Sequence, residues 1–204
     1  LVDSEKLTVG FTGAPLLVKD KVIIGAQGGE WPDRGPIFGV NAKTGEQVWR
    51  FFTSGGNEGT ASDALKTWGG DSYKTGGGMT EGPRPGINLY TSSVILLNPD
   101  TGDLKGFHQV LPHDAWDFDP AQGELMMIER DGKKYVVHPS KSGFVFVFDR
   151  KTGKPVNVYK GVDAINFVKD IKPNGELVGR WDPPEGKHVN LCPAIAGGYS
   201  WNAG

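Results

Sequence analysis

Val40-Asn41-Ala42-Lys43-Thr44-Gly45-Glu46-Gln47-Val48-Trp49 decides the reading of this chain, because its pattern returns twice. Leu97-Asn98-Pro99-Asp100-Thr101-Gly102-Asp103-Leu104-Lys105-Gly106 and Phe148-Asp149-Arg150-Lys151-Thr152-Gly153-Lys154-Pro155-Val156-Asn157 repeat an apolar residue, variable positions, Thr-Gly and a strand-type run. In each copy Asp or Asn suits the cap of a tight turn, and Gly supplies its φ > 0 position. Such a turn would join the two outer strands of a blade. The glycines at 45, 102 and 153 stand 57 and 51 residues apart, slightly more than the roughly 40–50 residues of propeller repeats. The fold class is therefore read as all-β, a segment of a β-propeller. A blade cannot bury both its faces alone, so a few blades imply a partner: the remainder of a propeller or a further copy in a homo-oligomer.

Outward from the repeats, other strand-type runs are plain. Pro15-Leu16-Leu17-Val18 and Lys21-Val22-Ile23-Ile24-Gly25, joined by Lys19-Asp20, read as a hairpin. Gln47 to Phe52, Ser93 to Leu97, Lys134 to His138 and Phe144 to Phe148 are rich in β-branched and aromatic residues. No long window holds a helical period; Asp163 to Asp170 is expected to form a short helical turn. Residues 55–88 hold ten glycines and almost no strand signal. A structureless stretch of that length is unusual inside a compact domain, so it is either a functional loop or a place where strands are missing.

Composition narrows the function classes. Gly 31 and Pro 14, with hydrophobic content at 37%, fit many short strands and tight turns rather than disorder. The 22 basic and 24 acidic residues are interspersed, and without a basic stripe a nucleic-acid partner is not expected. No apolar run approaches a membrane span. Leu1-Val2-Asp3-Ser4-Glu5 does not read as a signal peptide, and Trp201-Asn202-Ala203-Gly204 reads as an interrupted segment. Cys192 is the single cysteine, either a buried thiol or half of a bridge to another segment. No C-x-x-C-H for covalent haem is present.

Five motifs in order carry a resemblance. They are Phe11-Thr12-Gly13-Ala14-Pro15; the run Gly25 to Gly35 (GAQGGEWPDRG); Thr67-Trp68-Gly69-Gly70-Asp71 with Gly76-Gly77-Gly78; Pro112-His113-Asp114-Ala115-Trp116-Asp117-Phe118-Asp119; and Leu191-Cys192-Pro193-Ala194-Ile195. Together they resemble the pyrroloquinoline quinone (PQQ)-dependent alcohol dehydrogenases. The Thr-Gly-x-x-x-Trp repeat resembles that family's tryptophan-docking motif. The resemblance implies an eight-bladed propeller of four-stranded antiparallel blades with PQQ on its axis, of which residues 1–204 supply roughly half.

Site residues follow residue by residue. A Glu after two glycines lets backbone approach a flat ligand while the carboxylate points at a cation. By resemblance Gly28 and Gly29 lie against PQQ, Glu30 ligates the metal, and Thr12 contacts a PQQ carboxylate. Asp117 and Asp119 stand at i and i+2, on one side of an extended strand. Close carboxylates repel, and a hard cation between them relieves this. The resemblance makes Asp117 a metal ligand and the catalytic base that takes the alcohol proton. It makes Asp119 a ligand that marks lanthanide(III) ahead of Ca2+, although sugar dehydrogenases of the same cofactor class also carry this second Asp. Lys141 matches a cation beside the quinone oxygens. Ser200 and Trp201 match a segment lining the PQQ cavity, and Cys192 matches a disulfide cysteine whose partner lies further downstream. His113 belongs to the Asp117 motif and orders its loop; His108, His138 and His188 lack metal-ligand spacing.

The sequence also departs from that pattern. After Gly78 it runs directly into Met79-Thr80-Glu81-Gly82-Pro83, where the family has a Trp that stacks on PQQ, two strands and a metal-binding Asn. A strand-turn-strand unit is thus missing near 78–79, through a true shortening or an omitted segment. The family's vicinal cysteine pair has no counterpart. The docking Trp is kept only at Trp49; Gly106 and Asn157 replace it. The expected activity is oxidation of a primary alcohol to an aldehyde, with electrons passing to cytochrome c or another acceptor, in the periplasm. The alternatives are a PQQ-dependent sugar or polyol dehydrogenase and a non-catalytic propeller scaffold.

Overall fold

The computed structural model describes residues 10–27, 34–57, 59–75, 84–118, 125–182, 184 and 187–199. It resolves into two compact units, one of residues 1–91 with 97–105, the other of 92–96 with 106–204.

The first unit holds β1 (Leu16–Val18), β2 (Lys21–Gly25), β3 (Pro36–Asn41) and β4 (Gln47–Phe52) in an antiparallel sheet ordered β1-β2-β3-β4. The hairpin read from Lys19-Asp20 pairs Val18 with Lys21 and Leu16 with Ile23. Residues 55–88 contain no strand among the described residues. They form 3-10 turns at Gly59–Thr67 and Ser72–Thr75, and the Thr67-Trp68-Gly69 motif is laced to 85–89. Gly69 N donates to Pro85 O (2.8 Å), Asn88 N to Thr67 O (3.0 Å) and Trp68 Nε1 to Leu89 O (2.6 Å). Phe38, Phe51, Trp68 and Tyr90 form the buried interior of this unit.

β5 (Ser93–Leu97) and β6 (Leu104–Gln109) form a two-stranded sheet. The second unit then repeats the four-stranded pattern with β7 (Met126–Arg130), β8 (Lys133–Pro139), β9 (Phe144–Asp149) and β10 (Pro155–Lys160), each strand beside its sequence neighbour. β9 shows why the sheet buries one face. Its period of two sends Phe144, Phe146 and Phe148 inward at 0–1% exposure, against Phe118 and Phe167. A last short pair, β11 (Asp170–Ile171) and β12 (Leu177–Val178), follows.

All three Thr-Gly segments are the same turn. Asn41 Oδ1 accepts from the backbone N–H of Lys43 and Thr44, Asn98 Oδ1 from Asp100, and Asp149 Oδ1 from Lys151 and Thr152. The glycine N–H returns to the carbonyl of the capping residue in each, at 2.8–2.9 Å, with φ of 75°, 76° and 68°. The first and third turns join the last two strands of a four-stranded sheet. The middle turn joins β5 to β6, a sheet with only two strands among the described residues.

One local expectation fails. Asp163 to Asp170 makes no helical turn; it bends and enters β11. Its backbone is committed to distant partners instead: Asn166 N donates to Cys192 O, Lys169 N to Val178 O, and Phe167 O accepts from Trp181 N. Among the described residues no helix is long and apolar enough to cross a membrane.

Candidate active site

The structure brings Asp117 and Lys141 together in the second unit. Asp117 follows β6 on an irregular loop and is exposed, while its neighbours Trp116 and Phe118 are buried at 7% and 0%. These two aromatic pegs set the loop's depth. Trp116 meets Trp181 edge-on at 4.8 Å between centroids, and Phe118 packs on Phe167 at 5.0 Å. Asp117 has φ of 60° and His113 has φ of 46°, a left-handed conformation that costs a non-glycine residue about 1–3 kcal/mol and persists where its surroundings over-determine it. The premise that Asp117 lies on an extended strand is therefore corrected: at Asp117 the chain turns, and the alternation rule for strands does not apply there.

The over-determination is visible. Asp114 is buried, and its Oδ1 accepts from Trp116 N at 3.1 Å and Phe118 N at 3.3 Å, while Ser92 Oγ donates to Oδ2. Arg180, just after β12, donates from its guanidinium to the carbonyls of Pro112 and His113 and pairs with Asp182. Lys141 is only 6% exposed and its Nζ donates to the Asp117 carbonyl at 2.6 Å. A buried ammonium thus grips the backbone of the residue whose carboxylate faces outward. Lys141 sits in the turn between β8 and β9, beside Ser140 and Ser142, whose hydroxyls bond each other at 2.9 Å. Behind it Gly198 N donates to Lys141 O at 2.8 Å, and a Cβ on Gly197 would collide with the Lys141 side chain.

Thr12 lies in the first unit, exposed on the loop before β1. The bridge between Gly10 and Gln27 holds that loop against the residue preceding Gly28. Gly28, Gly29, Glu30, Asp119, Ser200 and Trp201 lie outside the described residues. No group of three His, Cys, Asp or Glu is arranged for a metal among the described residues. Cys192 carries a free thiol, and its N–H donates to Asn166 Oδ1. His108 is a core residue against Phe146 and Phe148, and burial lowers its imidazole to about 4.

Sequence reading missed Asp114, Arg180 and Trp181. Asp114 carries a local signal, since Asp commonly accepts from backbone N–H groups two residues on. Arg180 and Trp181 carry none, since Arg180 is 67 residues from the His113 carbonyl it holds and Trp181 is nearly as remote from Trp116.

Two four-stranded antiparallel meanders are the blade pattern of a β-propeller. A family model for the β-propeller domain of PQQ-dependent glucose, ethanol and alcohol dehydrogenases matches residues 72–161. Methanol dehydrogenase (cytochrome c) subunit 1 of Methylorubrum extorquens is 33% identical over 96% of this chain and 39% of its own length. The quinohemoprotein alcohol dehydrogenase ADHIIG of Pseudomonas putida superposes with a TM-score of 0.82 at 28% identity, covering 98% of this chain and 35% of that one. A europium-containing methanol dehydrogenase gives 0.80 at 29% identity, covering 93% and 41%. The chain belongs to the PQQ-dependent alcohol/methanol dehydrogenase family, and it spans 27–42% of the length of the curated relatives it matches.

Proposed function

We propose that this chain is part of a quinoprotein dehydrogenase that oxidises a primary alcohol to the aldehyde, with Asp117 as the base. The observation that carries this reading is the Asp117 loop: an exposed carboxylate on a conformationally forced residue, its carbonyl held at 2.6 Å by the buried ammonium of Lys141. The donor set fits the cofactor. An outward carboxylate can hold a proton or a hard cation, and a fixed cation beside it suits an electron-rich, anionic quinone. PQQ supplies a two-electron hydride acceptor when bound, and its metal ion supplies Lewis acidity.

The chain's own residues orient and accept. As the alcohol C–H bond delivers its hydride, the O–H proton passes to a carboxylate oxygen of Asp117. Lys141 provides positive charge without reorganisation, because its burial and its bond to the Asp117 carbonyl fix it. Glu30, Asp117 and Asp119 would hold the metal, and Thr12, Gly28, Gly29, Ser200 and Trp201 would contact PQQ. Three carboxylates suit lanthanide(III) better than Ca2+ by charge, and the europium-containing relative supports that preference. The electrons leave to cytochrome c or another external acceptor, and the site of action is the periplasm.

Among the described residues the middle blade has only its last two strands, and a strand-turn-strand unit is missing from it near 78–79. The two-stranded β5–β6 sheet supports this, as does an aligned stretch of 250 positions against 204 residues here. The missing unit carries the stacking Trp and metal Asn of the family pattern, so the complete site belongs to the longer protein, whose other blades cover the exposed apolar residues of β1 and β7.

Replacing Asp117 by Asn in the natural PQQ- and metal-loaded protein tests the role of the base. Alcohol-dependent dye reduction is expected to fall by about 10²–10⁴-fold, with the PQQ absorbance of the purified protein retained. Undiminished turnover with PQQ bound removes Asp117 from the chemistry and favours a different base.

A further inference from the structure

We infer that Arg180 is a positioning residue for Asp117, acting through the backbone of the 112–118 loop; this rests on the reading of Asp117 as the base. Two residues of that loop, His113 and Asp117, hold left-handed backbone conformations that side-chain-bearing residues rarely adopt. Asp114, within the loop, and Lys141, outside it, bind its descending half, at Trp116, Phe118 and the Asp117 carbonyl. Its ascending half is held by Arg180, whose guanidinium reaches the consecutive carbonyls of Pro112 and His113 while Asp182 Oδ1 accepts from the same group at 2.5 Å. Two adjacent carbonyls need a planar fork with donors at fixed separation. Arg supplies it, and Lys, a point charge on a flexible stem, does not.

The neighbouring residue strengthens the assignment. Trp181 packs edge-on against Trp116, one residue before Asp117. Its own indole N–H is anchored on Asn166 O at 2.6 Å, and its backbone N–H on Phe167 O at 3.0 Å. Gly179, at φ of 62°, releases the chain from β12 so that Arg180 and Trp181 both address the loop. The short β11–β12 hairpin, far from the reacting groups in sequence, therefore sets where the Asp117 carboxylate stands.

The test compares Arg180→Ala, Arg180→Lys and Asp117→Asn in the natural protein. In Arg180→Ala loaded with PQQ and metal, kcat is expected to fall on the order of 100-fold, with KM for the alcohol within about threefold. In the same variant without cofactor, amide exchange of 112–118 is expected to rise about tenfold while β8–β10 keep their protection. Arg180→Lys should share the kcat loss, and it decides the matter if the alanine variant does not fold. Unchanged kcat in a folded Arg180 variant, with Asp117→Asn inactive, overturns the inference, and so does unchanged exchange of 112–118. If Asp117→Asn stays active, the base reading fails; the exchange measurement still reports whether Arg180 holds the loop.

Discussion

Trp49 and Gly106 occupy the same place in two successive repeats, five residues after the equivalent turn begins its Thr-Gly run, and they meet the next turn in opposite ways. The Trp49 indole lies in a slot between two glycines. A Cβ on Gly39 would overlap it, and one on Gly102 would stand 2.7 Å from its Cδ2. Its Nε1 donates to Pro99 O at 2.9 Å, and the ring is 7% exposed. At the second dock no side chain intervenes. The Thr152 carbonyl oxygen would lie 2.5 Å from a Cβ on Gly106, and Gly153 faces the Leu96 side chain. The turns are alike while their docks differ: one is filled by an aromatic with a satisfied N–H, the other by backbone against backbone. A loss of the docking Trp in sequence is thus not a loss of the contact. It is a closer approach that only glycine permits.

The largest way to break this comparison is Trp49→Ala. It empties the slot between Gly39 and Gly102 and leaves the Pro99 carbonyl without its donor, so a loss of about 3–5 kcal/mol is expected from the urea midpoint. A loss under about 1 kcal/mol would mean the glycine walls close on the gap. Gly106→Ala comes next, with about 1–3 kcal/mol lost to overpacking against the Thr152 carbonyl. Gly25→Ala is the control, because nothing lies within 4 Å of its Cβ position. Equal effects at 25 and 106 would refute the tight backbone dock.

The smallest effect concerns His108, two residues along β6 from Gly106, and it vanishes at neutral pH. Burial lowers its folded pKa to about 4, against about 6.5 unfolded. Below 6.5 the unfolded chain takes up a proton that the folded chain refuses. Its contribution is whole above 6.5, declines as pH falls, and is fully lost below about 4. His108→Phe keeps the ring among Phe146 and Phe148 and removes the titration. The fall in denaturant midpoint between about pH 7 and pH 5 should therefore be shallower in the variant; an unaltered slope would place the acid sensitivity elsewhere.

The site shows the same division as the docks. Asp117 and Lys141 were legible as candidates from motif and resemblance, and the structure places them in contact. The extended backbone assumed at Asp117 was not right, because a strand rule was applied to a residue whose backbone turns left-handed. That turn depends on Arg180, Trp181 and Lys141, none within twenty residues of it. Asp163 to Asp170 failed as a helical turn for a related reason: Cys192 and Val178 claim its hydrogen bonds.

By itself, then, the sequence determined what is local. A capped Thr-Gly turn closes on hydrogen bonds within five residues, and the alternation of Phe144, Phe146 and Phe148 buries one face of a strand wherever the sheet packs. The tertiary structure alone decided how the Asp117 carboxylate is presented, which residue clamps its loop, and that bare backbone at Gly106 takes the place of an indole. Those outcomes depend on distances between groups far apart in the chain, where close packing and fixed donor geometry select one arrangement and no sequence period records it.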